Sequence, residues 1–299
     1  MDKNILAIDW GTSNRRAYLI DQTGACVAEH EDGQGMLAVG GQQHFSASLA
    51  GLLATMGIPA DVPVIMSGMV GSASGWQEVG YLDASVPLRQ LPAHLAPVAD
   101  PDWAGRCRIV PGYCYRSGSD VDVMRGEETQ LLGAVALGHR DGWLVLPGTH
   151  SKWVLLRDGV IQSLSTYMTG ELFAMLSAGG TLSSMMGGDA ADAEGFAIGL
   201  NQAGRNEPLS NTLFRVRAGV VSRSAPAQQA PAVVSGLLIG AEFAAARAQA
   251  GAGGITVIGS PALAARYAVA AAHFGLQCEV LDPHRVYCTA ISQFLKGPQ

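Results

Sequence analysis

The chain alternates short apolar runs with turns marked by glycine. Residues 4–9 (NILAID) form an apolar run ending in Asp9 and read as a strand. The WGTSN turn follows, and Arg16–Ile20 and Ala25–Glu29 read as two more strands around Asp21-Gln22-Thr23-Gly24. The same order returns in WLVLPGTHSKWVLLRDGVIQSLS: strand, Gly-Thr turn, strand, Asp-Gly turn, strand. Aligning Gly11-Thr12 with Gly148-Thr149 gives an offset of 137 residues (148 − 11), which also carries Asp21 onto Asp158. After the first meander the pattern predicts a helix over 43–56, strands at PVIMS and CRIV, and a helix from Gly126 to Leu137. After the second it predicts helices from near Glu171 and over Val233–Gln249. The strand ITVIG, the helix PALAARYAVAAAHFG, the strand QCEVL and a last helix at Arg285–Leu295 complete the series. Ala218–Pro231, with its Ser, Ala, Gln and Pro, reads as a surface connection. At 299 residues the chain exceeds what one core usually supports, so one α/β unit written twice is expected, divided as 1–140 and 141–299.

Composition narrows the function classes. Hydrophobic residues make up 48% and charged residues 15%, with 38 glycines, so burial is ample and many turns need glycine. The net charge is −6 and no basic run is present, which argues against nucleic acid as a partner. Five cysteines without a CxxC pair argue against a disulfide framework or a paired-thiolate zinc site and fit a reducing cytoplasm. Met1–Ile8 lacks the features of a signal peptide, and Gly, Ser and Glu interrupt even Val233–Ala246, so no membrane association is expected.

The sequence contains no GxxxxGK[ST], no GxGxxG after a strand, no HExxH and no GxSxG. What remains is Asp9-Trp10-Gly11-Thr12-Ser13-Asn14, a carboxylate at a strand end followed by glycine and small polar residues. Asp9 in that place suits Mg²⁺, while Gly11, Thr12, Ser13 and Asn14 suit phosphate oxygens; an Asp-initiated hairpin turn is the structural alternative. Pro147-Gly148-Thr149-His150-Ser151-Lys152 is a second turn of the same kind. Its Gly148, Thr149, His150 and Ser151 are candidates for the same phosphates, and His150 and Lys152 read equally as surface side chains.

These two loops, and the duplication around them, resemble the actin, sugar-kinase and hexokinase superfamily. That resemblance implies an adenosine-binding turn in the second domain, for which Gly236, Gly259 and Ser260 are candidates; Gly240 reads as a helix-packing residue. Three further segments carry a closer likeness: Met66–Ser72 with Gly75-Trp76 and Tyr81; Asp122–Gln130; and LPGTHSKWV with Thr169-Gly170-Glu171. Together they resemble the 2-dehydro-3-deoxygalactonokinase family, from about residue 5 to residue 295.

The resemblance implies two duplicated ribonuclease-H-like α/β domains around a cleft (the actin-like ATPase or sugar kinase fold), closing on ATP and Mg²⁺ about a hinge near Asp141. It implies transfer of the ATP γ-phosphoryl group to the terminal hydroxyl of a 2-keto-3-deoxy sugar acid. The substrate-binding candidates are Trp10, Arg16, Ser67, Met69, Gly71, Ser72, Trp76, Tyr81, Arg125, Thr169 and Glu171; Arg16 and Arg125 suit a carboxylate or the migrating phosphoryl group. Many sugar kinases place an Asp motif at the last helix of the first domain, where this chain reads Arg125-Gly126-Glu127-Glu128. Glu127, Glu128 and Asp122 are therefore the candidate bases, with Glu127 favoured, and a pair serving only the helix dipole is the alternative. The expected partner is a small-molecule sugar acid, with neither nucleic acid nor membrane, and a homodimer is left open. A kinase for another sugar or sugar acid, or an actin-type filament or regulatory protein, are the competing functions.

Overall fold

The structure is a computed structural model that describes residues 4–250 and 254–296. In chain order its first elements are β1 (Ile5–Trp10), β2 (Arg15–Ile20), β3 (Cys26–Asp32), α1 (Met36–Val39), α2 (Phe45–Met56), β4 (Val64–Gly68), β5 (Tyr81–Asp83), β6 (Ala96–Pro97), β7 (Cys107–Ile109), β8 (Gly112–Ser117), β9 (Asp120–Met124) and α3 (Glu127–Ala136). The second series is β10 (Gly142–Leu146), β11 (Ser151–Arg157), β12 (Val160–Tyr167), α4 (Thr169–Ala178), α5 (Ala193–Ala203), α6 (Leu209–Val221), α7 (Ala230–Ala250), β13 (Gly254–Ile258), α8 (Pro261–His273), β14 (Gln277–Leu281) and α9 (Pro283–Lys296).

The duplication is visible in the sheets. One has the order β3-β2-β1-β4-β7-β6 and the other β12-β11-β10-β13-β14, so each has a three-strand meander at one edge and two strands added beside its first strand, with β6 extending the first sheet. β1 and β4 pair in parallel, as do β10 and β13. A third sheet, β5-β8-β9, has no counterpart in the second series and was not expected. The meanders turn where the residue types allow it. Asp158 (φ 49°) and Gly159 (φ 70°) both lie in the left-handed region that a two-residue hairpin turn requires.

The chain divides into two compact units. The first comprises Met1–Asp141, Leu155–Leu164 and Asp282–Gln299, and the second Gly142–Val154 and Ser165–Leu281. The expected division was contiguous; this one is not, because the end of the β11–β12 hairpin and the last helix both belong to the first unit.

Strand alternation sorts the first unit's side chains. Leu6, Ile8 and Trp10 of β1 and Met66 of β4 enter one core with Phe45, Leu49, Leu52 and Leu53 of α2. Successive side chains on a strand point to opposite faces, so Asp9 and Ser67 face the other way. There α9 packs on β2 and α3, and Gly133 lets α3 close on α9, since a Cβ there would lie 2.0 Å from the Val286 carbonyl oxygen.

In the second unit α7 is the central helix. The stretch Ala227–Ala246 is long and apolar enough to cross a membrane by length and composition, which the interruptions in its sequence had argued against. However, 78% of that window is buried inside the protein, mostly beneath α5 and α6. The connection expected over 218–231 is shorter, because α6 runs to Val221 and α7 starts at Ala230.

Candidate active site

Asp9 sits at the next-to-last position of β1, opposite Arg16 on β2 and Ser67 on β4. The turn after β1 is held from outside. The Gly11 N–H donates to the Asn14 carbonyl, while the N–H groups of Met36 and Leu37 donate to the carbonyls of Gly11 and Thr12. Gly35 makes this approach possible, because a Cβ there would lie 2.3 Å from the Ser13 carbonyl carbon. Sequence reasoning missed Gly35, although the Gly33-Gln34-Gly35 spacing was its signal. Held this way, Thr12, Ser13 and Asn14 are exposed. The Thr12 and Ser13 amides have no protein acceptor among the described residues.

Two glycines bring the start of α3 to Asp9. Gly68 (φ 87°) ends β4, and a Cβ on it would be 2.8 Å from the Trp10 carbonyl oxygen and 3.4 Å from Asp9 Oδ1. Gly126 (φ 110°) sits on Gly68 in turn, with its own Cβ position 3.3 Å from the Gly68 Cα. A side chain at Gly68 would collide with the Trp10 carbonyl and crowd Asp9, and one at Gly126 would crowd Gly68. Burial, together with the negative charges of Glu127 and Glu31, raises the Asp9 carboxyl to about 6 against the opposing pull of Arg16. No protein donor binds this carboxylate among the described residues, so it suits a cation.

The two glutamates have different environments. Glu127 is half-buried and accepts the Arg125 N–H at 3.1 Å. Glu128 is fully buried, accepts the Gly126 N–H at 2.7 Å, and is pushed up to about 8 by burial and then by Glu127. Asp122 lies in β9 opposite Tyr115, where it accepts the N–H of Val123 at 2.7 Å.

Arg125 is the least satisfied group nearby. Its Nη2 donates to the Val79 carbonyl at 2.6 Å, and its guanidinium lies 4.4 Å from the centre of the Tyr81 ring. Nε and Nη1 are buried without an acceptor. Gly71 leaves the room, since a Cβ there would lie 3.0 Å from Nη1. Met69 and Ser72 shape the turn around Gly71, with the Ser72 hydroxyl donating to the Met69 carbonyl at 2.8 Å. Arg16 is exposed and pairs with Glu31 at 3.0 Å.

The second loop, in the second unit, is built alike. Thr149 and His150 are bends whose amides have no protein acceptor among the described residues. The first turn of α4 braces it. The Glu171 N–H donates to the Thr149 carbonyl, His150 Nε2 lies 2.5 Å from Glu171 Oε2, and a Cβ on Gly170 would be 2.5 Å from the Gly148 carbonyl oxygen. Gly259 abuts Pro147, with its Cβ position 3.2 Å from Cδ, and Ser260 is exposed at the N-cap of α8. Beneath lies a network that sequence reasoning missed. Glu242 of α7 is 1% exposed and accepts from the hydroxyls of Ser151, Thr169 and Tyr267 and from the Trp153 indole. Its carboxyl is raised by burial against those four bonds.

Several candidates are corrected by this geometry. Trp10 is one residue from Asp9 and therefore on the opposite face, fully buried against Phe45 with its indole N–H on the Gln34 carbonyl. Trp76 stacks on Phe45 in the same core. Ser67 is fully buried, 3.0 Å from the Tyr287 hydroxyl, and that tyrosine lies beneath Asp9, another residue missed. The hydroxyls of Ser151 and Thr169 are committed to Glu242. Gly236 is a packing residue, its Cβ position only 2.2 Å from the Phe196 carbonyl oxygen of α5. Gly240 packs likewise on Ala203, as read from the sequence. Lys152 is buried and its amine donates to Thr166, so it is no surface cation.

Comparison with known proteins agrees over almost the whole length. Residues 9–294 match the profile of the 2-keto-3-deoxy-galactonokinase family. The probable 2-dehydro-3-deoxygalactonokinase DgoK1 of Rhizobium meliloti (strain 1021) is 39% identical over 286 residues, covering 92% of this chain and 91% of that protein. The 2-dehydro-3-deoxygalactonokinase of Escherichia coli (strain K12) is 35% identical over 268 residues, covering 89% of each. A crystal structure of a Sinorhizobium meliloti protein described by that same activity superposes with a TM-score of 0.89 at 36% identity, covering 98% of both chains. The ADPNP-bound activator of 2-hydroxyisocaproyl-CoA dehydratase from Clostridium difficile shares the fold, with a TM-score of 0.54 at 14% identity over 98% of this chain and 94% of that one.

Proposed function

Because the chain belongs to the 2-keto-3-deoxy-galactonokinase family, we propose that it transfers the ATP γ-phosphoryl group to the terminal 6-hydroxyl of 2-dehydro-3-deoxy-D-galactonate, a step of galactonate catabolism. The observation that carries this reading is the meeting of Asp9 and Glu127 across Gly68 and Gly126, which sets a cation-suited carboxylate beside a possible proton acceptor.

Asp9 would hold Mg²⁺, and when bound the ion neutralises charge on the transferring phosphoryl group. The open amides of Thr12 and Ser13, with their hydroxyls, bind phosphate oxygens, and so do the amides of Thr149 and His150 with the Thr149 hydroxyl. Gly259 and Ser260, next to the second loop, are the remaining candidates for the adenosine side. Glu127 takes the proton of the 6-hydroxyl as that oxygen attacks the γ-phosphorus and ADP leaves. Glu128, fully buried and bonded to the Gly126 N–H, supports the turn that presents Glu127.

The C1 carboxylate of the sugar acid supplies the acceptor that Arg125 lacks. A buried N–H without a partner costs about 1–3 kcal/mol, and an anion on Nε and Nη1 recovers it through two charge-assisted bonds. Tyr81 and Gly71 hold the guanidinium for that contact. The reading is tested by ADP release over a panel of epimeric 2-keto-3-deoxy sugar acids and simple sugars. Turnover confined to the acids supports it; equal turnover of uncharged sugars would remove the carboxylate anchor.

A further inference from the structure

Cys26, His284 and Cys288 lie far apart in sequence, and no spacing rule joins them. In the first unit their ligand atoms all fall within 4.8 Å of one another. His284 and Cys288 are four residues apart on α9 and so share one helix face. Cys26 is the first residue of β3, delivered by a turn that packs on the same helix. Gly24 (φ 86°) in that turn would place a Cβ 3.0 Å from the Ser292 Cβ. Within the cluster, Cys288 Sγ is 4.0 Å from His284 Nδ1 and 3.9 Å from Nε2.

The surroundings are those of a prepared ligand set. His284 Nε2 lies 3.3 Å from Glu29 Oε2, so Glu29 can accept the Nε2 proton and leave Nδ1 as the coordinating atom. Tyr18 meets the imidazole edge-on, with ring centroids 5.3 Å apart, and limits its rotation. Glu29, paired with His284, places a negative charge beside the cluster. A tetrahedral ion with bonds of about 2.3 Å to sulfur and about 2.0–2.1 Å to nitrogen needs its ligand atoms roughly 3.5–3.8 Å apart. The ligand atoms lie within about an ångström of that spacing, and His284 is half-exposed.

We infer that Cys26, Cys288 and His284 Nδ1 form a binding site for a thiophilic divalent cation, Zn²⁺ above all, with Glu29 orienting the imidazole and water as fourth ligand. Binding releases the two thiol protons to solvent and consumes no oxidant. The ion ties the strand β3 to α9, the helix that carries Tyr287 beneath Asp9.

The test titrates the full chain, reduced and freed of metal, with Zn²⁺ against a chromophoric chelator and with Co²⁺ for its absorption spectrum. One equivalent bound, thiolate-to-cobalt charge-transfer absorption and a higher Tm with Zn²⁺ are expected. Glu29→Gln should weaken binding about 10- to 100-fold, and Cys26→Ser with Cys288→Ser should abolish it. Cys278→Ser, in β14, should leave binding intact. Because loss of the buried Cys288 thiol can disturb folding, His284→Gln, at a half-exposed position, gives the deciding measurement. Wild-type affinity in that variant, the absence of stoichiometric binding at micromolar Zn²⁺, or oxidation to a disulfide with no metal uptake would each overturn the site.

Discussion

At the scale of single residues, Glu127 and Glu128 separate chemistry from stability. Loss of a general base typically costs about 10² to 10⁴ in rate, so Glu127→Gln should lose kcat to that extent, with near-normal Tm and ATP binding, in a coupled ADP-release assay. Glu128→Gln should keep most of its turnover and show its effect in stability. Its folded carboxyl, near 8, lies above the ordinary 4.5. Between those values the unfolded chain gives up a proton that the folded chain keeps, so the wild-type protein loses stability as pH rises and levels off above about 8. The advantage of Glu128→Gln should therefore grow across this window, by at most about 1.4 kcal/mol per pH unit; a difference in melting temperature that is flat with pH would contradict the buried, proton-holding state. Asp9→Asn should abolish turnover and leave the circular dichroism spectrum unchanged, and wild-type turnover in that variant would remove Asp9 from the mechanism. Asp9 and the glutamate pair were legible in the sequence because carboxylates beside glycine turns are rare patterns. Trp10 was misread because a strand sends neighbours to opposite faces, Trp76 because the loop that carries it folds back into the core, and Ser67 because Tyr287 of α9 covers it. Glu242 and Tyr287 were illegible, since each belongs to a helix whose docking the sequence does not state.

At the scale of elements, the Gly-Thr loop of the second unit depends on the start of α4. Gly170→Ala places a Cβ 2.5 Å from the Gly148 carbonyl oxygen, and overpacking of this kind typically costs about 1–3 kcal/mol. The expected result is a lower Tm and weaker binding of a non-hydrolysable ATP analogue by calorimetry; undiminished affinity would detach the loop from the nucleotide. The two meanders could be read in advance because Asp-Gly and Gly-Thr turns have their own backbone chemistry. The β5-β8-β9 sheet could not. β5 is three residues long, and β9 exposes Val121 and Val123, so its apolar positions mark no core face. Helices α5 and α6 were not predicted either, although their buried residues recur at helical spacing, as Phe196 and Leu200 do on α5 and Thr212 and Val216 on α6.

At the scale of the whole molecule, the first unit is assembled from three separate pieces of chain, the last of which is Asp282–Gln299. Deleting residues 282–299 should strip α3 and β2 of α9 and leave residues 4–141 open to limited proteolysis, while fragments from the second unit persist on mass spectrometry. Equal protection of both would show that the first unit closes without its last helix. The duplicated halves pointed to a cut near residue 141, but an α-helix at the end of a repeat looks the same whichever unit it joins. The return of α9 also gives the protein a timetable. A ribosome adds roughly 5–20 residues per second, so the first unit's strands emerge early and wait while the second unit is made. Throughout that interval the groove meant for α9 is bare on the nascent chain, which makes the half-built first unit a natural client for chaperones at the tunnel exit.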